Sequence, residues 1–270
     1  MKKKEAYKFT SEDAENYDRY IGPILFEPYG QYMASRISAS DVSSVLEVAC
    51  GSGRLTRHLR KVLPSHVRLF ATDISPDMLH IAQRELNNNG IIFQTEDVQK
   101  LSFTDNTFDL VICQFGMMFL PDKQKGFDEI YRVLKPGGKL MIFTWDDTLN
   151  MPLFKLLIDD LILPYFSGED TTRFKVPFSL HDDKTLNKWL KNSGFKEAES
   201  TKISLPSGTS TSELIVTGLF SKHPLGKEIM TKDPDAFEPV ALKFAEGITE
   251  EFGAENTSFP LSALLTTGVK

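Results

Sequence analysis

Residues 45–53 of the chain read Val45-Leu46-Glu47-Val48-Ala49-Cys50-Gly51-Ser52-Gly53, an apolar strand that runs into a glycine-containing loop. Glycine lets the backbone approach a ligand closely, because it has no Cβ atom and tolerates positive φ angles. A second acid, Asp73, ends the next apolar segment about 20 residues later, where nucleotide-binding folds hold a ribose diol. This pairing predicts a nucleotide-type cofactor site at the carboxyl end of a parallel sheet.

Apolar, β-branched segments alternate with helical patterns from residue 44 to residue 146, which indicates βαβ units and a parallel sheet. The alternation resumes at residue 182. The predicted strands are residues 44–48, 67–72, 91–94, 108–114, 139–145, 195–205 and 259–269. The predicted helices are residues 54–63, 122–134 and 182–193, a helix that starts at Pro76, and most of residues 207–253.

Several residues mark the ends of these elements. Ser75 offers a capping hydroxyl ahead of Pro76, and proline suits the first position of a helix. This helix is expected to end at Asn87-Asn88-Asn89-Gly90, which suits a left-handed C-terminal cap. Lys135-Pro136-Gly137-Gly138 is predicted to form a tight turn into the fifth strand.

A single domain over residues 1–270 describes this organisation better than two domains, because no low-complexity linker interrupts the chain. Its expected parts are an N-terminal helical cap (1–43), a cofactor-binding core (44–146), an insertion or lid (147–181), and a C-terminal part of the sheet (182–270) with a helical insertion (207–253). Met151–Phe166 is apolar on almost all sides, and such a helix is buried or covers a pocket. It also suits a subunit interface, so a monomer and a homodimer both remain open.

The composition is that of an ordinary globular protein, with 41% hydrophobic and 25% charged residues among 270. A formal net charge of −6 disfavours nucleic acid as a partner. Lys2-Lys3-Lys4 is interpreted as a solvated, mobile terminus. No signal-peptide core and no segment of transmembrane length is found in the sequence, so we expect a cytoplasmic protein without a membrane span.

The two cysteines, Cys50 and Cys113, form neither a disulfide framework nor a zinc set, and no metal site is expected. Both lie at the ends of predicted strands. We interpret them as small, buried apolar residues in a reducing compartment. If their strands are neighbours, the two thiols can approach each other.

Polar motifs follow the ends of four successive strands. They are Glu47–Gly53, Asp73, Glu96-Asp97-Val98 and Gln114-Phe115-Gly116, followed by Leu134-Lys135-Pro136-Gly137-Gly138. Together they resemble the class I S-adenosylmethionine-dependent methyltransferases over residues 44–146, with the ubiquinone/menaquinone-biosynthesis-type, small-molecule branch the most similar. The resemblance implies an α/β fold: a Rossmann-like, doubly wound, seven-stranded and mostly parallel sheet with an antiparallel last strand, helices on both faces, and helical insertions after strands 5 and 6.

The resemblance also implies which residues surround S-adenosylmethionine and its product S-adenosylhomocysteine. Contacts to the methionine and ribose part are implied for Glu47, Ala49, Cys50, Gly51 and Gly53. Asp73 is implied to bind both ribose hydroxyls, and the adenine contacts are Ile74, Met78, Asp97 and Val98. Asp97 is the residue expected to accept a hydrogen bond from the adenine amino group. Gln114 and Phe115 are implied near the sulfonium end.

Two positions depart from the family's pattern, since Ala49 stands where glycine is usual and Glu47 where aspartate is usual. Purely structural alternatives also remain open for two acids. Glu47 could serve only to bind loop amides, and Asp97 could serve only to cap the turn before Leu101. Asp73 has little expected structural purpose, so its binding interpretation is preferred. The residues interpreted first as core are Phe115, Met117, Met118 and Phe119.

The segment Asn16-Tyr17-Asp18-Arg19-Tyr20 is aromatic and precedes the first strand. Segments at this place in similar enzymes fold over the cofactor. Tyr17 or Tyr20 is then expected to hydrogen-bond the carboxylate end of the cofactor, and we assign Tyr20 to the cofactor site. The alternative is a surface helix that packs on the sheet.

The reaction implied by the resemblance is in-line methyl transfer from a sulfonium to an oxygen, nitrogen or carbon nucleophile. Among five histidines, His181 is the candidate general base, because it ends the insertion after the fifth strand. It equally flanks the cap of the next helix. Asp146 and Asp147 lie near the rim of the expected crevice, and a solvated turn is the favoured interpretation for them. The apolar insertion suggests a small apolar or aromatic acceptor.

Two other functions compete with methyl transfer. A nicotinamide-dependent oxidoreductase also has a glycine loop and a later acid, but here the third glycine of that fingerprint is missing. The second alternative is a protein that binds S-adenosylmethionine without catalysis.

Overall fold

The computed structural model describes residues 10–38, 42–87 and 89–270, and a seven-stranded sheet runs through them. Its strands are β1 (Ser44–Val48), β2 (Arg68–Asp73), β3 (Ile91–Thr95), β4 (Phe108–Gln114), β5 (Leu134–Trp145), β6 (Lys196–Pro206) and β7 (Pro260–Val269). Their order is β3-β2-β1-β4-β5-β7-β6. Strands β1 to β5 pair in parallel, whereas β7 runs antiparallel to both β5 and β6. The predicted seven-stranded, mostly parallel sheet with an antiparallel last strand is confirmed.

Helices flank this sheet, and all five residues of β1 are buried, which requires cover on both faces. The α-helices are α1 (Ser11–Asn16), α2 (Glu27–Ser35), α3 (Thr56–Val62), α4 (Pro76–Leu86), α5 (Lys123–Val133), α6 (Pro152–Phe154), α7 (Leu163–Tyr165), α8 (Thr172–Lys175), α9 (Asp183–Ser193), α10 (Ser212–Val216), α11 (Pro224–Lys232) and α12 (Pro234–Phe252). The wider π-helical segments are Tyr17–Phe26, Lys155–Ile162 and Thr217–Ser221. Short 3₁₀ turns cover Met117–Phe119, Thr148–Asn150 and Val176–Phe178. Helical insertions therefore follow the fifth and sixth strands, as predicted.

The predicted caps of α4 are present. The Ser75 hydroxyl accepts a hydrogen bond from the Met78 amide at 3.3 Å, and Asn87 has a left-handed φ of 50°. Asn88 of the same predicted cap lies outside the described residues. The predicted start of α3 at Arg54 is two residues early, because Gly51 and Gly53 have positive φ angles and the chain turns through residue 55 before the helix begins.

Lys135-Pro136-Gly137-Gly138 does not form the predicted turn between a helix and a strand. β5 begins directly after α5, with Leu134 paired to Phe108 and Lys139 paired to Leu110, so the residues between them bulge out of the strand. The Gly137 amide donates to the Lys270 carbonyl at 3.1 Å, and the Lys270 amide donates to the Gly138 carbonyl at 3.0 Å. The end of β7 therefore stabilises the bulge, and local sequence gives no sign of this pairing.

The helical segment 11–35 packs against the sheet edge and against the C-terminal insertion. Its Phe26 carbonyl accepts a hydrogen bond from the Gln114 amide nitrogen at 2.7 Å, at the end of β4. The buried Asp13 carboxylate pairs with Lys227 of α11 at 2.6 Å. We call residues 11–35 the cap segment below.

Cys50 and Cys113 are buried and free, and their strands β1 and β4 are neighbours. Burial raises the pKa of the Cys113 thiol to about 12, so this thiol is unreactive at neutral pH. Across residues 10–38, 42–87 and 89–270, no helix is long and apolar enough to span a bilayer. The Lys2-Lys3-Lys4 segment lies outside the described residues.

Candidate cofactor site

A cavity of about 40 Å³ opens where the carboxyl ends of β1 and β4 meet the glycine loop and the cap segment. Its lining residues are Tyr17, Phe26, Glu47, Ala49, Cys50, Gly51, Ser52, Arg54, Leu55 and Gln114. The strand order reverses at β1, and such a switch point is where open α/β sheets bind ligands. Small-molecule sites usually have about 300–1,000 Å³. A nucleotide-sized ligand therefore needs more room than this cavity has, and Tyr17 and Phe26 line its wall on the cap-segment side.

Asp73 connects two elements of this site. Its Oδ2 accepts a hydrogen bond from the Gly51 amide at 2.8 Å, and its Oδ1 accepts one from the Ser75 amide at 2.8 Å. The expectation that this acid has little structural purpose is wrong, because it joins the glycine loop to the start of α4. Burial raises the pKa of Asp73, although the amide donors oppose that shift. Its position at the end of β2 is the one expected of a ribose-binding acid.

Glu47 is a buried acid in the floor of the cavity. Its Oε2 accepts a hydrogen bond from the Thr56 hydroxyl at 2.6 Å, so it is bound to the first residue of α3 rather than to the loop amides. Burial raises the pKa of Glu47 to about 8, the negative charge of Asp73 adds to the shift, and the Thr56 hydroxyl opposes it. At neutral pH the carboxyl is therefore mostly protonated, and a cationic ligand group beside it favours ionisation.

We expect Glu47→Gln to stabilise the ligand-free protein increasingly as pH rises from 5 to 8. In wild type the folded state holds a proton that the unfolded chain releases near pH 4.5, so folding stability falls by about 1.4 kcal/mol per pH unit in this range. Glutamine cannot ionise and removes this dependence, while its oxygen still accepts from Thr56. Thermal unfolding at pH 5, 6.5 and 8 measures the difference.

Glu129→Gln is the control of opposite sign. The hydrogen bond from Arg132 lowers the pKa of Glu129, so its charge contributes stability above the unfolded pKa, which is lost as pH falls. This variant should be less stable than wild type at pH 8. A Glu47→Gln protein with no gain at pH 8 would show that the Glu47 carboxyl is not held protonated by burial.

Ala49 has a left-handed φ of 53°, which is the reason that glycine is usual at this position. A Cβ atom on Gly116, after β4, would lie 2.4 Å from the Ala49 Cβ and 2.9 Å from the Cys113 sulfur. The missing side chain of Gly116 therefore makes room for the methyl group of Ala49. The departure at residue 49 is tolerated because a glycine lies opposite to it.

The residues assigned to adenine lie at the end of β2 and after β3. Ile74 is 66% exposed beside Asp73, and Met78 packs with Ala14 of α1. Asp97 Oδ1 accepts a hydrogen bond from the Gln99 amide at 2.8 Å, which is the turn-capping arrangement of the alternative interpretation. Val98 is buried next to it. The geometry thus brings all four to the same edge as Asp73 and leaves their adenine roles as predictions.

Gln114 and Phe115 lie differently with respect to the cavity. Gln114 lines it, and its Oε1 is buried without a hydrogen-bond partner among the described residues. Phe115 is buried and stacks on Trp145, with ring centroids 3.7 Å apart, so it supports the site from the core. Met117 and Met118 are core residues as expected, whereas Phe119 is 58% exposed because it follows the buried pair in a surface 3₁₀ turn.

His181 lies in a second cavity, of about 150 Å³, beyond the end of β5. Its Nδ1 donates to the Phe178 carbonyl at 2.7 Å, and its Nε2 lies 3.6 Å from Asp147 Oδ2. This bond fixes the neutral tautomer with the lone pair on Nε2. Protonation at Nε2 then forms an ion pair with Asp147. Asp146 instead accepts a hydrogen bond from Ser262 of β7 and forms an ion pair with Lys202 of β6, both at 2.7 Å. It therefore stabilises the end of the sheet.

Three residues of the site carry no signal of their own in the sequence. Arg54 lines the cavity and pairs with the cap segment. Ser52 has a buried hydroxyl without a hydrogen-bond partner among the described residues, and Thr56 holds Glu47. All three lie within or directly after the glycine loop, so the loop was the available signal.

Comparison with known proteins identifies the cofactor. The family described as "Methyltransferase domain" matches residues 46–142. A ubiquinone/menaquinone biosynthesis C-methyltransferase (UbiE) of Hydrogenovibrio crunogenus is 31% identical over 208 residues, which are 71% of this chain and 82% of that protein. The chain belongs to the class I S-adenosylmethionine-dependent methyltransferases. A demethylmenaquinone methyltransferase of Lactiplantibacillus plantarum is 32% identical over 59% of this chain and 76% of its own.

Solved structures agree on the fold of this methyltransferase. A phosphoethanolamine N-methyltransferase 2 of Haemonchus contortus, solved with S-adenosylhomocysteine, has a TM-score of 0.59 and 17% sequence identity over 97% of this chain and 57% of that chain. The cofactor of this chain is S-adenosylmethionine, and the nicotinamide alternative is set aside.

The residues of the methyltransferase cavity fit this cofactor. Gln114 Oε1 and the Ser52 hydroxyl are buried without partners among the described residues, and such groups are costly unless a ligand or water satisfies them. The ammonium and ribose hydroxyls of S-adenosylmethionine are donors of the kind that Gln114 Oε1 and Asp73 accept from. Its carboxylate is an acceptor for a hydroxyl such as that of Ser52. A Cβ atom on Gly51 would meet nothing within 4 Å, so the loop leaves space beside Asp73.

The two tyrosines of the cap segment lie in different places in this methyltransferase. Tyr17 lines the cavity and stacks on Phe26 with ring centroids 5.1 Å apart. Burial and the charge of Asp73 raise the pKa of Tyr17. Tyr20 does not line this cavity, and its hydroxyl lies 3.5 Å from the Lys222 ammonium in the C-terminal insertion. The assignment of Tyr20 to the cofactor stays a prediction, with Tyr17 the better-situated tyrosine.

We expect Tyr17→Phe to weaken S-adenosylhomocysteine binding several-fold, because the hydroxyl contributes about 1 kcal/mol of polar interaction at a buried site. Tyr20→Phe is the matched variant and should bind like wild type. Isothermal titration of both variants measures this. Equal losses of affinity in the two variants would show that the Tyr20 hydroxyl also contacts the cofactor. Unchanged affinities in both would show that neither hydroxyl does.

Proposed function

We propose that this methyltransferase methylates a ring carbon of a small hydroxylated aromatic acceptor of the quinol type. The names of two relatives describe a C-methyltransferase of ubiquinone and menaquinone biosynthesis and a demethylmenaquinone methyltransferase. The observation in this chain that supports an aromatic acceptor is a column of aromatic rings beside Gln114.

The column joins the two cavities. Phe26, which lines the first cavity, lies 6.0 Å from Trp145 between ring centroids. Trp145 lies 6.3 Å from Phe154, and Phe154 lies 5.1 Å from Phe178, which lines the second cavity. Aromatic pairs contribute about 0.5–1.5 kcal/mol each beyond the area that they bury. An aromatic acceptor that enters the column would replace these ring contacts with its own, and an aliphatic acceptor would lose them.

S-adenosylmethionine supplies an already activated methyl group, so the residues of the chain have to align the acceptor, exclude water and remove a proton. A quinol carbon becomes a better nucleophile when the neighbouring hydroxyl loses its proton. We assign that proton to His181 Nε2, with the resulting cation stabilised by Asp147, 3.6 Å away. The His181 side chain is 44% exposed, so it can pass the proton to solvent.

The insertion that carries this second cavity, within residues 147–181, is proposed as a lid over the acceptor. Leu153, Leu157 and Ile162 on its inner side are buried in the same core as the column. This burial within one chain favours a lid over a subunit interface. The division of residues 1–270 into cap, core, lid and C-terminal part is proposed on the same basis.

The test uses methyl-labelled S-adenosylmethionine with 1,4-naphthoquinol, formed by reducing 1,4-naphthoquinone. We expect the label on a ring carbon, identified by mass spectrometry and NMR of the product. Phosphoethanolamine is the matched nitrogen acceptor and should remain unlabelled. Label on a hydroxyl oxygen, or on phosphoethanolamine alone, would contradict carbon methylation of a quinol.

A further inference from the structure

Two acids of the cap segment bind Arg54, a cation at the end of the glycine loop. Its Nε donates to Asp18 Oδ1 at 2.9 Å, and its Nη2 donates to the Asp18 carbonyl at 2.7 Å and lies 2.7 Å from Oδ1. Its Nη1 lies 3.7 Å from Glu27 Oε2. The Arg54 side chain is only 15% exposed and lines the cofactor cavity. One loop guanidinium therefore connects the cavity to the cap segment.

The cap segment is shaped around this guanidinium. A Cβ atom on Gly22 would lie 2.7 Å from Arg54 Nε and 3.1 Å from Cζ, so a side chain at this position would displace the guanidinium from where it lies against the helix. Asp18, Gly22 and Glu27 are four or five residues apart, which brings them to one side of the helical cap segment. The contact is thus a built recess rather than a surface ion pair.

Opening the cap segment changes the charge balance of this recess. The acids belong to the cap segment and Arg54 belongs to the loop, so outward movement of the cap separates them. Arginine stays charged at all accessible pH values, and a buried charge without a partner is costly. Two nearby acids are already bound: Glu47, which lines the cavity, to Thr56, and Asp73 to Gly51 and Ser75. A ligand that displaces Asp18 from Arg54 therefore has to supply its own anion.

The anionic group of S-adenosylmethionine is the α-carboxylate of its methionine part. We infer that Arg54 binds this carboxylate, which takes the place of the Asp18 carboxylate on the guanidinium, whereas a ligand without a carboxylate leaves the Asp18–Arg54 pair in place. Arg54 then recognises the cofactor, and Asp18 competes with it for the same guanidinium. This assignment rests on the cofactor alone and is independent of the acceptor.

The test compares two ligands that differ by one group: S-adenosylhomocysteine, and its decarboxylated analogue S-adenosyl-3-thiopropylamine, which keeps the ammonium. We expect Arg54→Gln to weaken S-adenosylhomocysteine binding about 10- to 100-fold, the range for losing a charge-assisted hydrogen-bonded pair. The analogue should bind wild type and Arg54→Gln with affinities that agree within about threefold. Isothermal titration measures both, and thermal unfolding confirms that each variant is folded.

The Asp18→Asn variant distinguishes recognition of the ligand carboxylate by Arg54 from a role in which Arg54 only holds the cap segment in place. Removing the competing charge should tighten S-adenosylhomocysteine binding about 3- to 10-fold and leave the analogue nearly unchanged. If Arg54 only latches the cap, Asp18→Asn and Arg54→Gln shift both ligands alike, and the inference is overturned. Asp18→Asn decides the matter even when Arg54→Gln fails to fold.

Arg84→Gln is the matched control for a cap ion pair. Arg84 of α4 bonds Glu15 of α1 at 2.6 Å on the exposed surface, and it does not line the cavity. Breaking this pair should change the affinities of the two ligands by the same factor. A carboxylate-selective loss in Arg84→Gln as large as that in Arg54→Gln would also overturn the inference, because the selectivity would then come from the cap as a whole.

Discussion

Asp73→Ala is expected to weaken S-adenosylhomocysteine binding by at least a hundredfold. Hydrogen bonds to a charged group contribute about 1.5–3 kcal/mol each, and the two ribose hydroxyls together correspond to roughly 3–6 kcal/mol. The same carboxylate holds the Gly51 amide at 2.8 Å, so the variant also loses the support of the glycine loop. Isothermal titration with S-adenosylhomocysteine, NADH and NADPH on wild type and variant is the measurement.

Asp77→Ala is the control, because this acid lies on the first turn of α4 and accepts from the Ser11 hydroxyl at 2.7 Å instead of facing the loop. It should bind within about twofold of wild type, since exposed polar contacts contribute little. Asp73→Asn keeps an acceptor for the Ser75 amide and should recover only part of the loss. Asp73→Ala with an affinity close to wild type would remove the ribose role, and tight binding of a nicotinamide nucleotide by wild type would contradict the cofactor assignment.

His181→Gln is expected to lower kcat with 1,4-naphthoquinol by about 10²–10³-fold, the range for loss of a general base. The affinity for S-adenosylhomocysteine should stay within about twofold, because His181 lies in the second cavity and not in the cofactor cavity. Glutamine keeps polarity and similar size but cannot take a proton. The deficit should shrink at high pH, since solvent hydroxide then removes the proton in place of the imidazole.

Two further variants qualify this result. Asp147→Asn should give a smaller loss than His181→Gln, because asparagine still lines the cavity but no longer stabilises the protonated imidazole 3.6 Å away. His66→Gln, at an exposed position before β2, should behave like wild type. A pH profile of His181→Gln that is parallel to that of wild type would show that His181 only flanks the cap of α9.

Much of the site was accessible from local sequence because its parts depend on near neighbours. The glycine loop, the Ser75 cap and the strand ends at Glu47, Asp73 and Asp97 follow from alternation and turn chemistry within a few residues. The parallel arrangement of β1 to β4 then brings these ends to one edge of the sheet. The cofactor was implied by the resemblance of those motifs to a methyltransferase family, and the comparisons confirmed it.

Other features depend on residues far apart in the chain. The local sequence of Lys135-Pro136-Gly137-Gly138 predicts a turn, but hydrogen bonds to Lys270, directly after β7, hold it as a bulge in β5. The local sequence around Asp73 shows no structural partner, because the Gly51 amide from which it accepts a hydrogen bond is 22 residues away. Tyr17 and Tyr20 were indistinguishable in sequence, and only the packing of the cap segment separates one from the other.

The sequence by itself determined the fold class and, through the resemblance of its motifs to a methyltransferase family, the cofactor, because strand alternation, glycine positions and acids at strand ends are local properties. Only the tertiary structure decided how the cap segment meets the site, with Asp18 on Arg54, and how His181 meets Asp147. Those pairs join segments whose relative position is set by burial of the whole core, and no short stretch of chain carries that information.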